Sequence, residues 1–143
     1  MTEPENAALV RRYIEEALNG HDLAILDELL ASDFVAHSPA GSRDRAGQKR
    51  MRAANWKASP DWRIDIRDVL TDGDRVAVRA TAGGTHLGEQ ATPWGTVAPT
   101  ARRITTSWIA IFRVAGGCIA ESWVEGDSLG MFEQLGVIPP RSR

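Results

Sequence analysis

The strongest constraint on the fold is a change of period at Ser59-Pro60-Asp61, with apolar residues recurring every three or four positions before it and every second position after it. Upstream, Pro4 suits a first helical turn beside Glu3 and Glu5. Behind it Leu9, Val10, Tyr13, Ile14, Ala17 and Leu18 form an amphipathic stripe ended by Asn19-Gly20. Asp22 can cap a second helix whose stripe is Leu23, Leu26, Leu29 and Leu30. Ser32 to Pro39 reads as a brief extended stretch broken by Pro39 and Gly41. Between Arg43 and Lys57 the residues favour helix, with Met51, Ala54 and Trp56 turned inward and Arg45, Lys49 and Arg52 on the opposite side. That basic face reads as solvated; its sharper reading is a guide for an anionic ligand.

Downstream, Trp62, Ile64 and Ile66 alternate with Arg63, Asp65 and Arg67, as in a half-buried strand. Asp72-Gly73 is a two-residue hairpin signal. Taken as the loop, it sets Ile66 opposite Arg79 and Ile64 opposite Thr81, so Arg79 is either a pocket residue or a sign of a different register, because a buried arginine needs a strongly polar partner. Gly83 to Thr100, rich in glycine and proline, is a long excursion at a sheet end, with strand continuing through Thr85. From Arg102 alternation resumes, with Ile104, Thr106, Trp108, Ala110 and Phe112 on one face and Ser107, Ile109 and Ile111 on the other, a pattern expected of a strand covered on both sides. Gly116-Gly117 then pairs Phe112 with Glu121, Ala110 with Trp123, Trp108 with Glu125 and Thr106 with Asp127. A two-residue period puts Glu121, Trp123, Glu125 and Asp127 on one face, which predicts a polar lining there. Helices first and hairpin-linked strands after predict an α+β fold: a curved, mostly antiparallel sheet with N-terminal helices on its concave face, able to enclose a cone-shaped cavity.

Length and composition bound the rest. With 143 residues, 43% hydrophobic and 25% charged, one domain spanning 1–143 is expected. A net charge of −2 with both signs interspersed gives no electrostatic footprint for nucleic acid or an anionic membrane. The single cysteine, Cys118, excludes an intrachain disulfide and fits a cytoplasmic protein. No signal-peptide pattern and no membrane-spanning apolar run is present. The three histidines are far apart and one cysteine cannot build a thiolate site, so no metal centre is expected. A Gly-x-Ser-x-Gly elbow and phosphate-binding loops are missing, and no organic cofactor is called for.

A carboxylate beside Trp108 and Trp123, away from water, has its charged form disfavoured and suits general acid–base work. Asp127, at a strand end beside Gly126, is the candidate, and capping the helix begun by Ser128 is the equally weighted alternative. Glu121 and Glu125 read as cross-strand partners of arginines. His37 and His86 can donate to a developing oxyanion or serve as structural hydrogen-bonders. His21 reads as a surface linker residue, and Asp61 as a strand-start cap or a second pocket acid.

Several stretches carry a family resemblance: Leu18-Asn-Gly-His-Asp-Leu23, Asp33-Phe-Val-Ala-His-Ser-Pro39, Ser59-Pro-Asp-Trp-Arg63, Gly73-Asp-Arg-Val-Ala-Val-Arg79, Gly84-Thr-His-Leu-Gly-Glu89, Ile111-Phe-Arg-Val114 and Glu121-Ser-Trp-Val-Glu-Gly-Asp-Ser-Leu-Gly130 with Gln134-Leu-Gly136. Together they resemble the SnoaL-like polyketide cyclases of the nuclear transport factor 2-like superfamily. The resemblance implies a conical α+β barrel, a homodimer and a cavity for a hydrophobic small molecule. It implies an aromatic polyketide ester as substrate, with Asp127 as acid–base in an intramolecular aldol ring closure, without metal or cofactor. It places His37 and His86 on polar pocket positions and Arg79, Trp108 and Trp123 in the lining, to which Asp61, Trp62 and Trp56 are added as candidates. It also leaves open a cofactor-free hydroxylase, an epoxide hydrolase imitated by Asp127, Arg79 and Asp61, and a non-catalytic module that binds a hydrophobic ligand or dimerises.

Overall fold

The computed structural model describes residues 1–142. Helix α1 (Glu3–Arg12) begins where the Thr2 hydroxyl accepts the Glu5 N–H, with Pro4 in the first turn. It runs on into a wider π-helical turn, Tyr13–Leu18, which buries Tyr13, Ile14, Ala17 and Leu18. The Asp22 carboxylate accepts the Ala24 and Ile25 N–H groups and opens α2 (Leu23–Leu29). Strand β1 (Leu30–Ser38) turns back on the short β2 (Gly41–Asp44), and Asp44 caps α3 (Arg45–Ala58). The strands after the change of period are β3 (Arg63–Asp72), β4 (Arg75–Thr85), β7 (Arg103–Ala115) and β8 (Cys118–Gly126). The excursion between β4 and β7 carries its own small hairpin, β5 (Gln90–Thr92) with β6 (Gly95–Val97). Last comes α4 (Ser128–Leu135), ended by Gly136 at φ 81°, a left-handed cap that glycine takes without steric cost.

Six strands form one mixed sheet in the order β2-β1-β8-β7-β4-β3, open at both ends, while β5 and β6 pair only with each other. Neighbouring strands run antiparallel except β1 and β8, which are parallel. The expected α+β class and helices on one face are present, and the sheet curves without closing into a barrel. Its inner face meets the helices in a core of Ile14, Leu18, Leu26, Phe34, Val76, Val78 and Ile119, all at most 2% exposed. Each such side chain contributes on the order of 1.5–3 kcal/mol by leaving water.

Two bulges correct the expected registers. In the first hairpin Asp72 pairs with Arg75, so the loop is Gly73-Asp74, and Arg67 is an extra residue before Asp68 meets Arg79. Ile66 therefore lies opposite Ala80, and Arg79 sits on the outer face with its Nε 2.5 Å from the Asp68 carboxylate. Gly116-Gly117 does form the second turn, with both φ positive. Ala120 is then inserted without a partner, which shifts Glu121 opposite Arg113, Trp123 opposite Ile111 and Glu125 opposite Ile109. That row faces away from the helices. The expectation that β7 is covered on both sides fails for the same reason: Ile109 and Ile111 are 55% and 39% exposed.

Candidate functional site

Between the inner sheet face and the helices lies a cavity of about 290 Å³. Tyr13, Met51, Trp62, Trp108, Phe112 and Met131 supply its apolar walls, and Arg43, Gln48, Arg52, Asn55, Ser122 and Asp127 its main polar groups. A concave, largely apolar space with a few placed polar groups is the usual form of a small-molecule site. Helix α3 is the chief contributor, since Gln48, Met51, Arg52 and Asn55 fall on one face at three- and four-residue spacing.

The polar groups form a chain. Arg43 Nε donates to Gln48 Oε1 at 3.2 Å, and Gln48 Nε2 donates to the Tyr13 hydroxyl at 3.2 Å. Gln48 is 4% exposed and Tyr13 2%, and the Tyr13 ring meets Phe112 edge-on at 5.8 Å. Burial, and after it the like charge of Arg52, push the Arg43 guanidinium below its ordinary pKa.

Among the described residues Asp127 is the only carboxylate that lines the cavity. Its Oδ1 accepts the Gly130 N–H at 2.9 Å, capping α4, and its backbone N–H donates to Ser107 O. The capping reading thus describes its placement, and the residue also borders the cavity, where it stands exposed at the mouth rather than in a dry recess beside Trp123. Its Oδ2 has no hydrogen-bond partner among the described residues.

Among the other expected site residues, Trp62 and Trp108 line the cavity; the rest lie elsewhere. His37 and Trp123 face each other across the parallel β1–β8 pair on the outer face, stacked at 5.6 Å. There His37 Nε2 donates to Glu121 Oε2 at 2.6 Å, and Arg113 Nε donates to Glu121 Oε1 at 3.2 Å. The His37 bond first, helped by Arg113, holds the Glu121 carboxyl below its ordinary value. Glu121 thus has the expected arginine, whereas Glu125 has no ion-pair partner among the described residues.

His86 is fully buried, and its Nδ1 lies on Thr100, accepting the Thr100 N–H, so it fastens the return of the excursion rather than facing ligand. Asp61 accepts the Thr85 N–H at 2.6 Å and hydroxyl at 2.8 Å, which hold its carboxyl below the usual range, and it ties the start of β3 to the end of β4. Trp56 stacks on His21 at 4.8 Å, outside the cavity. Arg45 and Lys49 pair with Asp27 of α2, Ala54 is exposed, and Arg52 turns inward, so the basic side expected of α3 is divided between two surroundings.

The sequence profile of the SnoaL-like polyketide cyclases matches residues 8–135. The chain belongs to the SnoaL-like polyketide cyclase family. Among solved structures, IdmH of Streptomyces antibioticus, a proposed polyketide cyclase, is 32% identical with a TM-score of 0.79 over 92% of this chain and 98% of that one. AclR of Streptomyces galilaeus, a proposed hydroxylase, is 25% identical with a TM-score of 0.88 over 99% of this chain and 87% of that one. A SnoaL-like protein of Jannaschia sp. CCS1, 18% identical with a TM-score of 0.83 over 96% of this chain and 95% of that one, shares the fold. No functionally curated protein matches the sequence.

In this SnoaL-like chain a larger concavity adjoins the cavity and shares Thr106, Ser107 and Asp127 with it. A trough of about 800 Å³ runs over the outer sheet beside α4 and is bordered by Arg63, Arg67, Arg103 and Arg141 with Asp65 and Glu133. Its charges are mostly satisfied by one another or nearby, as in Arg141 with Glu133 at 2.8 Å and Arg103 with Asp61 at 3.6 Å. Among the described residues no group of three His, Cys, Asp or Glu comes together as a metal set, and no helix is long and apolar enough to cross a membrane.

Proposed function

We propose that the protein is a SnoaL-like enzyme that closes a ring on an aromatic polyketide-type substrate by intramolecular aldol chemistry, with Asp127 as the acid–base. The observation that carries this is the isolation of Asp127: among the described residues it is the only carboxylate lining the cavity, with one oxygen fixed by the Gly130 N–H and the other unpartnered. Asp127 Oδ2 takes a proton from a carbon flanked by carbonyls. The resulting enolate carbon attacks a second carbonyl carbon of the same molecule, forming the C–C bond. The electron pair moves to that carbonyl oxygen, which recovers the proton. Delocalisation of the enolate makes one placed carboxylate sufficient, and Tyr13, Asn55 and Ser122 line the cavity as candidate donors, whereas His37 and His86 do not line it.

The test is turnover of an anthraquinone-type β-keto methyl ester by wild type and Asp127→Asn. Asparagine still accepts the Gly130 N–H, so the cap survives while the base is lost. A drop in kcat of about 10²–10⁴-fold is expected; an unchanged rate sinks the role of Asp127.

The similarity to AclR supports a second reading, hydroxylation of a similar substrate. Oxygen uptake coupled to turnover would establish it and displace ring closure.

We also propose that two copies associate through the outer sheet face. Leu70, Ala77, Ile111 and Trp123 form one cross-strand row there, with Ile109 beside it. Arg75 lies over Trp123 at 4.9 Å, and Arg79 with Asp68 and Arg113 with Glu121 rim the patch. Both charge signs at the rim allow the patch to meet its own two-fold copy.

A further inference from the structure

Most arginines of this protein either pair with an acid, as Arg12 does with Glu16 and Glu28, Arg45 with Asp27, Arg79 with Asp68, Arg113 with Glu121 and Arg141 with Glu133, or stand exposed to solvent, as Arg50, Arg67, Arg75 and Arg102 do. Arg43 and Arg52 do neither. Both line the apolar cavity, both are partly buried, and neither has a carboxylate within ion-pair distance among the described residues. Arg52 Nε is buried and has no acceptor among the described residues. Arg43 spends only its Nε–H, on Gln48, and the Gln48–Tyr13 bond holds that arrangement in place. Two partly buried guanidinium groups thus line one cavity with no acid beside them among the described residues, and the charge of Arg52 adds to burial in lowering the pKa of Arg43, an arrangement that is costly unless something anionic joins them. Asp127 is no counter-ion for them, since it forms no ion pair with either among the described residues and is engaged at the mouth by α4.

We infer that the ligand of this cavity carries a free carboxylate, bound by Arg43 and Arg52 while its apolar body lies against Trp62, Trp108 and Phe112. The inference rests on the cavity being the ligand site proposed above, and it narrows the substrate from a fully esterified aromatic polyketide to an acid. A guanidinium presents two parallel N–H donors that match the two oxygens of a carboxylate. An ester offers neither the charge nor the second equivalent oxygen. The cavity volume of about 290 Å³ suits a body of two or three fused rings.

Calorimetric titration of the wild-type protein with anthracene-2-carboxylate and with its methyl ester tests this directly. The acid is expected to bind at least about tenfold more tightly, since hydrogen bonds to a charged group exceed neutral ones by roughly that factor. The preference should fall toward unity in Arg52→Met and Arg43→Met, each checked for native circular dichroism, and should survive in Asp127→Asn. Equal binding of acid and ester by the wild type overturns the carboxylate and leaves the cavity as a ligand site. An acid preference retained in both arginine variants also overturns it. Binding of neither probe overturns the inference together with the cavity reading. Loss of turnover in Asp127→Asn with acid binding intact supports both.

Discussion

At the scale of single residues, the outer-face cluster makes a prediction about acid. Glu121 is held in its ionised form by His37 and Arg113, so its folded pKa lies below its unfolded one. A depressed carboxylate stabilises fully above its ordinary value of about 4.3 and loses that contribution as pH falls through the folded value. Glu121→Gln should therefore lower Tm by a constant amount above about pH 5 and by progressively less toward about pH 3. Calorimetric Tm values across that range check it, and a difference independent of pH would refute it. Asp127 was legible in the sequence as a cap, because a strand-end Asp before Ser-x-Gly can accept the N–H groups of the helix that follows, and its position beside the cavity followed from the strand end on which it lies. Arg52 was legible only as part of a basic helix face with a solvated and an anionic-ligand reading, and Arg43 not at all, because it falls on β2 just before the helix and an arginine there reads as solvated until its neighbours are placed. The available signal was spacing: Gln48, Arg52 and Asn55 repeat at helical period beside Met51.

At the scale of elements, the identity and order of helices and strands followed from periodicity and caps, whereas pairing registers did not. Each bulge adds one residue, Arg67 in β3 and Ala120 in β8, with no compositional mark, and a one-residue slip sends every later side chain to the other face. This is why Arg79, Trp123 and the acids of β8 belong to the outer surface. It is also why Ser122 and Val124, the residues between those acids and Trp123, meet the cavity instead. The outer face also carries the exposed strip of Leu70, Ile109 and Ile111 proposed as the contact between copies, with Leu70 70% exposed. Ile109→Glu with Ile111→Glu places two unpaired charges on each partner, and should convert a dimer into a monomer in light scattering without altering the circular dichroism of the chain. A wild-type mass already equal to one chain would remove the proposal.

At the scale of the molecule, one core draws on α1, the π-helical turn, α2 and the strands β1, β3, β4, β7 and β8, so there is no second centre about which part of the chain could stay folded. Denaturant unfolding should show one transition, with far-ultraviolet circular dichroism and tryptophan fluorescence superimposing. Separated transitions would mean two units rather than one domain spanning 1–143. The sequence announced helices packed on a sheet; it did not announce the neighbourhood of β1 and β8, because a parallel pair more than eighty residues apart leaves no turn between its strands to read. That pairing has a temporal meaning. The last strand synthesised lies in the middle of the sheet, between the first strand and β7, so β1 and β2 have no seat until residues 118–126 have left the ribosome. Its contacts join the two halves of the chain at large sequence separation, which makes for slow folding. Assembly is thus completed from the C-terminal end inward, with β8 as the strand that turns two separate ribbons into one sheet.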